Sequence, residues 1–141
     1  MILFNQDARV AEWMFATAGS TPMLYNMAIG IADEGGVLIG GIMFTGWNGS
    51  DVEVHFYGPG LLKRRIVRLI MQVSLLQFNV NRLTIRTRKK QMSRGVRKLG
   101  AIYEGTMKRL YGPTDRTLHS AKQYAFFRET IEKLAALKGN E

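Results

Sequence analysis

The sequence contains no cysteine. That excludes a disulfide framework, a cysteine nucleophile and every thiolate metal site. Histidine occurs only at His55 and His119, which rules out a multi-histidine metal centre. No apolar run approaches the ~18 residues of a membrane span. The opening residues, Met1-Ile-Leu-Phe-Asn-Gln-Asp7, lack the charged-then-apolar layout of a signal peptide. The expectation is a cytoplasmic protein with no membrane partner.

Acidic residues are also scarce, 11 against 20 Lys and Arg, giving a formal charge of +9 over 141 residues. None falls between Glu53 and Glu104, while twelve Lys and Arg do, from Lys63 to Lys98. A solvated basic surface accounts for part of this. Like charges one helical turn apart repel by a few tenths of a kcal/mol per pair, about 0.2–0.5, unless an anion offsets them. The stretch therefore points to a phosphate-bearing partner, a nucleotide cofactor or nucleic acid. The length fits one domain, residues 1–141, with no repeat or linker.

Hydrophobic periodicity divides the chain. Residues 6–17 suit a helix with Val10, Trp13 and Met14 on one side. Residues 24–32 and 37–46 read as strands joined at Asp33-Glu-Gly-Gly36. Asn48-Gly49 marks a second hairpin into residues 51–57, where Val52, Val54 and Phe56 alternate with Glu53, His55 and Tyr57. The first half is thus a three-stranded antiparallel meander. The period then changes. Leu62, Ile66, Leu69, Ile70, Val73 and Leu76 predict an amphipathic helix over 61–78, about five turns. Residues 82–87 alternate as a strand, 90–99 fit a short helix stopped by Gly100, and 101–110 fit a strand. Residues 121–128 are open between strand and helix, and 129–138 read as a terminal helix. A strand–helix–strand unit from 51 to 87 implies one parallel pair in a mostly antiparallel α/β (α+β) sheet with flanking helices.

The segment His55-Phe-Tyr-Gly58-Pro-Gly60-Leu-Leu-Lys63-Arg64-Arg65 carries the chemistry. It is a strand, a glycine turn and a helix start. Glycine lets a ligand approach the backbone, and a helix start presents free N–H groups and a positive dipole end. That combination holds anions. Pro59 removes one donor and stiffens the turn.

This order of elements resembles the GCN5-related N-acetyltransferase (GNAT) superfamily. Gly36-Val-Leu-Ile-Gly-Gly41 matches its third strand, Asp51-Val-Glu-Val54 its fourth, and Val80-Asn-Arg-Leu-Thr-Ile-Arg86 its fifth. Arg97-Lys-Leu-Gly-Ala-Ile-Tyr-Glu-Gly-Thr106 is similar to the subgroup that acetylates ribosomal-protein N-termini. Compact members of this kind also occur in tailed bacteriophages. The resemblance implies acetyl-CoA as cofactor, held by Phe56, Tyr57, Gly58, Gly60, Leu61, Lys63, Arg64 and Arg65. The family's turn begins with Arg or Gln; His55 stands there in this chain. The resemblance also implies a carboxylate on the fourth strand as general base, and Glu53 occupies that neighbourhood. Either Glu53 or His55 could take the ammonium proton. Val96 stands where the family often has a tyrosine acid, leaving Tyr103 or Tyr111 as substitutes.

Three functions follow as expectations. The first is acetyl transfer from acetyl-CoA to an amine, either a protein N-terminus or a small molecule. The second is a non-catalytic GNAT-fold component of a phage particle or a host-interaction factor, in a virion or the host cytoplasm. The third is a basic nucleic-acid binder. An oligomer is compatible with all three. Trp13 and Trp47 read as packing residues, the eight methionines as a plastic core or an interface, His119 as a solvated loop residue, and Gly40-Gly41 as a bulge or close backbone approach.

Overall fold

In a computed structural model, residues 1–136 are described. Seven strands form one open sheet in the order β1-β2-β3-β4-β5-β7-β6. They are β1 (Ile2–Leu3), β2 (Met27–Ala32), β3 (Leu38–Thr45), β4 (Asp51–Tyr57), β5 (Arg82–Thr87), β6 (Ile102–Met107) and β7 (Ala121–Phe127). The helices are α1 (Asp7–Ala18), α2 (Arg64–Leu76), α3 (Lys90–Lys98) and α4 (Arg128–Ala135). Every neighbouring pair is antiparallel except β4 and β5, which are parallel. The expected mixed sheet and crossover are therefore present. The sequence reading missed β1, which pairs Ile2 with Ile31 and is too short to show a period. The ambiguous 121–128 stretch is a strand. Its partners on both sides, β5 and β6, decide what local propensity leaves open.

The hairpin turns form as their residues dictate. The Asp33 carboxylate accepts from the N–H groups of Gly35 and Val37, and Asn48 Oδ1 accepts from those of Ser50 and Asp51. Residues 137 and 138 of the expected terminal helix lie outside the described residues.

Two cores follow from the two faces of the sheet. Val10, Ala11 and Met14 of α1 pack on Ala28, Leu38 and Met43. The larger core joins Ile66, Ile70 and Val73 of α2 to the other face, through Val52, Val54, Leu83 and Ile85. Helix α1 sits close because β3 has no side chain beneath it: a Cβ on Gly41 would lie 2.6 Å from Met14 Sδ. Of the expected close approach at Gly40-Gly41, Gly41 receives α1, while a Cβ on Gly40 would stand 3.1 Å from Tyr57 O. The helix expected over 61–78 is shorter at both ends. Lys63 N donates to Gly60 O at 3.0 Å, so residues 60–63 close a turn of their own and α2 begins at Arg64.

Candidate active site

β4 and β5 pair only at Asp51 with Arg82, Val52 with Leu83 and Glu53 with Thr84. Beyond these the strands part. β5 continues to pair with β7 through Thr87, and β4 with β3 through Tyr57. The β5-side edge of His55, Phe56 and Tyr57 is therefore left without a strand partner.

The turn after β4 lies at the mouth of this parting. Gly58 has φ +114° and Gly60 φ +87°. The expectation was that glycine serves ligand approach here. At Gly58 the fold itself demands it. A Cβ would stand 2.7 Å from Gly40 Cα and from Ile39 O, so the turn folds back against the backbone of β3. Gly60 is different, because its Cβ would meet only the Lys63 side chain, at 3.1 Å.

α2 starts from this turn with no side-chain cap and no acid in its first turn, and α3 starts the same way. Both helix starts therefore present uncapped N–H groups and the positive dipole end. Both also carry lysine there, which the dipole disfavours without an anion. Lys63 and Lys89, with Gly58, Gly60, Gln91 and Met92, border one concavity of about 470 Å³. α3 reaches the turn because a Cβ on its Gly95 would stand 2.2 Å from Leu62. Arg64 and Arg65 are exposed and do not line the concavity, unlike Lys63. Leu61 is buried, pointing with Val96 into the apolar crevice between α2, α3 and the sheet. Val96 is a core residue, 2% exposed.

A second hollow, about 260 Å³, opens on the α1 face and contains His55, Tyr57 and Tyr111. Met14, Phe15 and Met23 make its remaining walls largely apolar. Tyr57 is held edge-on to Trp13, with ring centroids 5.8 Å apart. His55 Nε2 is 2.8 Å from Thr45 Oγ1 and 3.8 Å from Glu53 Oε2. Burial, then the Arg86 charge, keep the imidazole below its ordinary 6.5, and Glu53 opposes this only in part. His55 is accordingly neutral at pH 7. Glu53 is bound to Arg86 (Oε1 to Nη1, 3.2 Å), and Arg86 Nε donates to Gln123 Oε1 at 2.9 Å. Of the two candidate bases, His55 faces the hollow and Glu53 does not line it.

Tyr111 comes from the β6–β7 loop. Its N–H donates to His119 O at 2.9 Å, and His119 Nδ1 meets Thr114 Oγ1 at 2.6 Å. His119 was expected to be solvated; instead it is partly buried and ties this loop together. The Arg88 guanidinium lies over the Tyr111 ring, 5.1 Å from its centroid. Burial raises the Tyr111 phenol above its usual range, aided by Glu53 and opposed by Arg88 and Arg86. Tyr103 is not brought to this group. It stands on edge strand β6 on the opposite face from His55, its hydroxyl 2.6 Å from Thr106 Oγ1 and its ring against Tyr124.

The central positive stretch is partly neutralised by acids distant in sequence. Arg82 is ion-paired with Asp51 and Glu104, and Arg86 with Glu53. The Arg82 hydrogen bond holds the Glu104 carboxyl below its usual range. Arg86, Gln123, Thr45 and Tyr111 complete the site; alternation on the fifth strand was the one signal for Arg86. Among the described residues, no group of three His, Asp or Glu side chains could hold a metal ion, and no helix is long and apolar enough to cross a membrane.

Solved structures share this fold, three of them as follows. A crystal structure of mutant forms of the spermidine/spermine N-acetyltransferase SpeG from Vibrio cholerae superposes with TM-score 0.63 at 12% identity, covering 76% of this chain and 67% of that one. The same enzyme in complex with manganese ions gives 0.63 at 14%, over 76% and 68%. Its dodecameric structure in an intermediate state gives 0.61 at 14%, over 73% and 65%. The fold is that of the GCN5-related N-acetyltransferases. No family model and no curated protein matches the sequence. In this sheet β4 and β5 part at the centre, with the turn concavity at the mouth of the parting and the His55 hollow on the α1 face.

Proposed function

We propose that this chain binds acetyl-CoA at the parting of β4 and β5 and transfers its acetyl group to an amine. One observation carries the reading: two uncapped helix starts, each with a lysine, converge on one concavity where the sheet opens. Such a place suits a pyrophosphate. That solved structures of the same fold are spermidine/spermine N-acetyltransferases supports it.

In this reading Lys63, Lys89 and the main chain from Gly58 to Leu61 hold the phosphates. The unpaired edge of Phe56 and Tyr57 faces the pantetheine arm. When bound, acetyl-CoA supplies the acyl group as a thioester. The amine enters through the hollow walled by Met14, Phe15, Met23 and Tyr57. His55, neutral at pH 7, accepts the ammonium proton on its ring nitrogen, and the Thr45 contact fixes the ring. Arg86 holds the Glu53 carboxylate beside it, where its negative charge favours the imidazolium that forms. Tyr111 stays protonated and can give its phenolic proton to the departing sulfur. Arg64 and Arg65 contribute long-range attraction alone.

The test is thiol release from acetyl-CoA in the presence of spermidine, a peptide with a free N-terminus and a small monoamine. The wild type releases thiol with at least one of them, and His55→Gln slows this by about 10²–10⁴. Full activity in His55→Gln contradicts the assignment of the base. Absence of both transfer and acetyl-CoA binding contradicts the whole reading.

A further inference from the structure

A third concavity, about 300 Å³, lies on the other side of α3, where the end of β5 meets the facing ends of β6 and β7. It shares no lining residue with the turn concavity. Arg88, Lys90, Lys108 and Lys122 border it, against a single carboxylate, Asp115. That carboxylate is already occupied by Arg109, at 2.7 Å. Lys90, Lys108 and Lys122 have no ion pair or side-chain hydrogen bond among the described residues. Four cations around one hollow repel one another unless an anion stands among them.

A second observation points into the same hollow. Ser120 is 6% exposed, lines the concavity, and its buried hydroxyl has no hydrogen-bond partner among the described residues. A buried hydroxyl without a partner is unfavourable, so it marks a place where a ligand supplies the missing acceptor or donor. Ser93 and Thr117 add two more hydroxyls to the lining. The fold builds the site by register: Thr87 pairs with Lys122, and Lys122 with Thr106, so all three side chains share the α3 face.

We propose that this hollow is a binding site for a small phosphate-bearing molecule, separate from the turn after β4. A phosphate carries up to two charges and several acceptor oxygens, which matches ammonium groups interleaved with hydroxyls better than a carboxylate does. A concavity of about 300 Å³ suits a phosphate ester or pyrophosphate better than a nucleic-acid backbone laid along a surface. The site stands whether or not the chain transfers acetyl groups. Arg88 links it to the His55 hollow, since its guanidinium lies over Tyr111.

Calorimetric titration with inorganic pyrophosphate and with methyl phosphate tests it, using the wild type, Lys108→Gln/Lys122→Gln, Ser120→Ala and Lys63→Gln/Lys89→Gln. All the substituted lysines are exposed, so the variants fold. Expected is saturable binding that weakens at least about tenfold in Lys108→Gln/Lys122→Gln and severalfold in Ser120→Ala. It persists in Lys63→Gln/Lys89→Gln. Tighter methyl phosphate identifies an ester ligand, and tighter pyrophosphate a free polyphosphate; both support the site. Binding lost only in Lys63→Gln/Lys89→Gln assigns the phosphate to the turn after β4 and overturns the proposal. So does a salt-sensitive gel shift of duplex DNA that Lys108→Gln/Lys122→Gln abolishes while neither phosphate binds.

Discussion

Gly58→Ala and Gly60→Ala place the same methyl group at two positions of one turn, and the structure assigns them different costs. At Gly58 the new Cβ meets backbone, 2.7 Å from Gly40 Cα and Ile39 O, at φ +114°. Backbone cannot step aside without breaking the pairing of Gly41 with Tyr57. The strain of a non-glycine residue at such a φ, about 1–3 kcal/mol, adds to about 1–3 kcal/mol of overpacking. The sum is about 2–6 kcal/mol. At Gly60 the methyl meets only the Lys63 side chain at 3.1 Å, which can rotate away. What remains is the φ of +87°, worth about 1–2 kcal/mol. In a chain of this size each kcal/mol moves the melting temperature by about 3 °C. Thermal unfolding followed by circular dichroism should therefore fall by about 6–18 °C for Gly58→Ala and 3–6 °C for Gly60→Ala. Gly58→Ala should also lose acetyl-CoA binding, because the turn must move off β3. Equal melting temperatures for the two variants would refute the reasoning.

Other consequences are equally open to measurement. His55 has a depressed pKa in the fold, so the unfolded chain takes up its proton first as pH falls. Its contribution to stability is complete above about pH 6.5 and is lost as pH drops from there toward the folded value. Urea unfolding across pH 5–7.5 should show that loss in the wild type and not in His55→Gln, and acetyl transfer should show an acid limb in the same window. Tyr111→Phe should lower kcat by about tenfold or more while Tyr103→Phe stays within about twofold, measured by thiol release. The reverse order would restore the tyrosine on β6. Phe44 is fully buried against Phe78, with centroids 5.3 Å apart, so Phe44→Ala should cost about 3–5 kcal/mol in urea unfolding. Glu104→Gln breaks an exposed ion pair and should cost under about 1 kcal/mol.

The meander, the crossover and the glycine turn were legible in the sequence because each rests on a local rule: alternation, helical period or a positive φ. What lay beyond reach depends on chain segments far apart. Glu53 and His55 are equivalent in the strand pattern. They differ only because Arg86, 33 residues on, occupies Glu53 while burial keeps His55 neutral. The acid-free middle looked uniformly positive, yet Asp51, Glu53 and Glu104 neutralise Arg82 and Arg86 across the sheet. Gly58 read as a ligand-approach residue and is also required by the backbone of β3. Tyr111 needed a loop held by His119 and Thr114, which no period encodes.

Calorimetric titration of acetyl-CoA into the wild type and into Lys63→Gln/Lys89→Gln addresses the cofactor cleft most directly. Saturable heat in the wild type, with affinity at least about tenfold weaker in the double variant, is the predicted result. No heat and no thermal shift in the wild type at millimolar acetyl-CoA would contradict it.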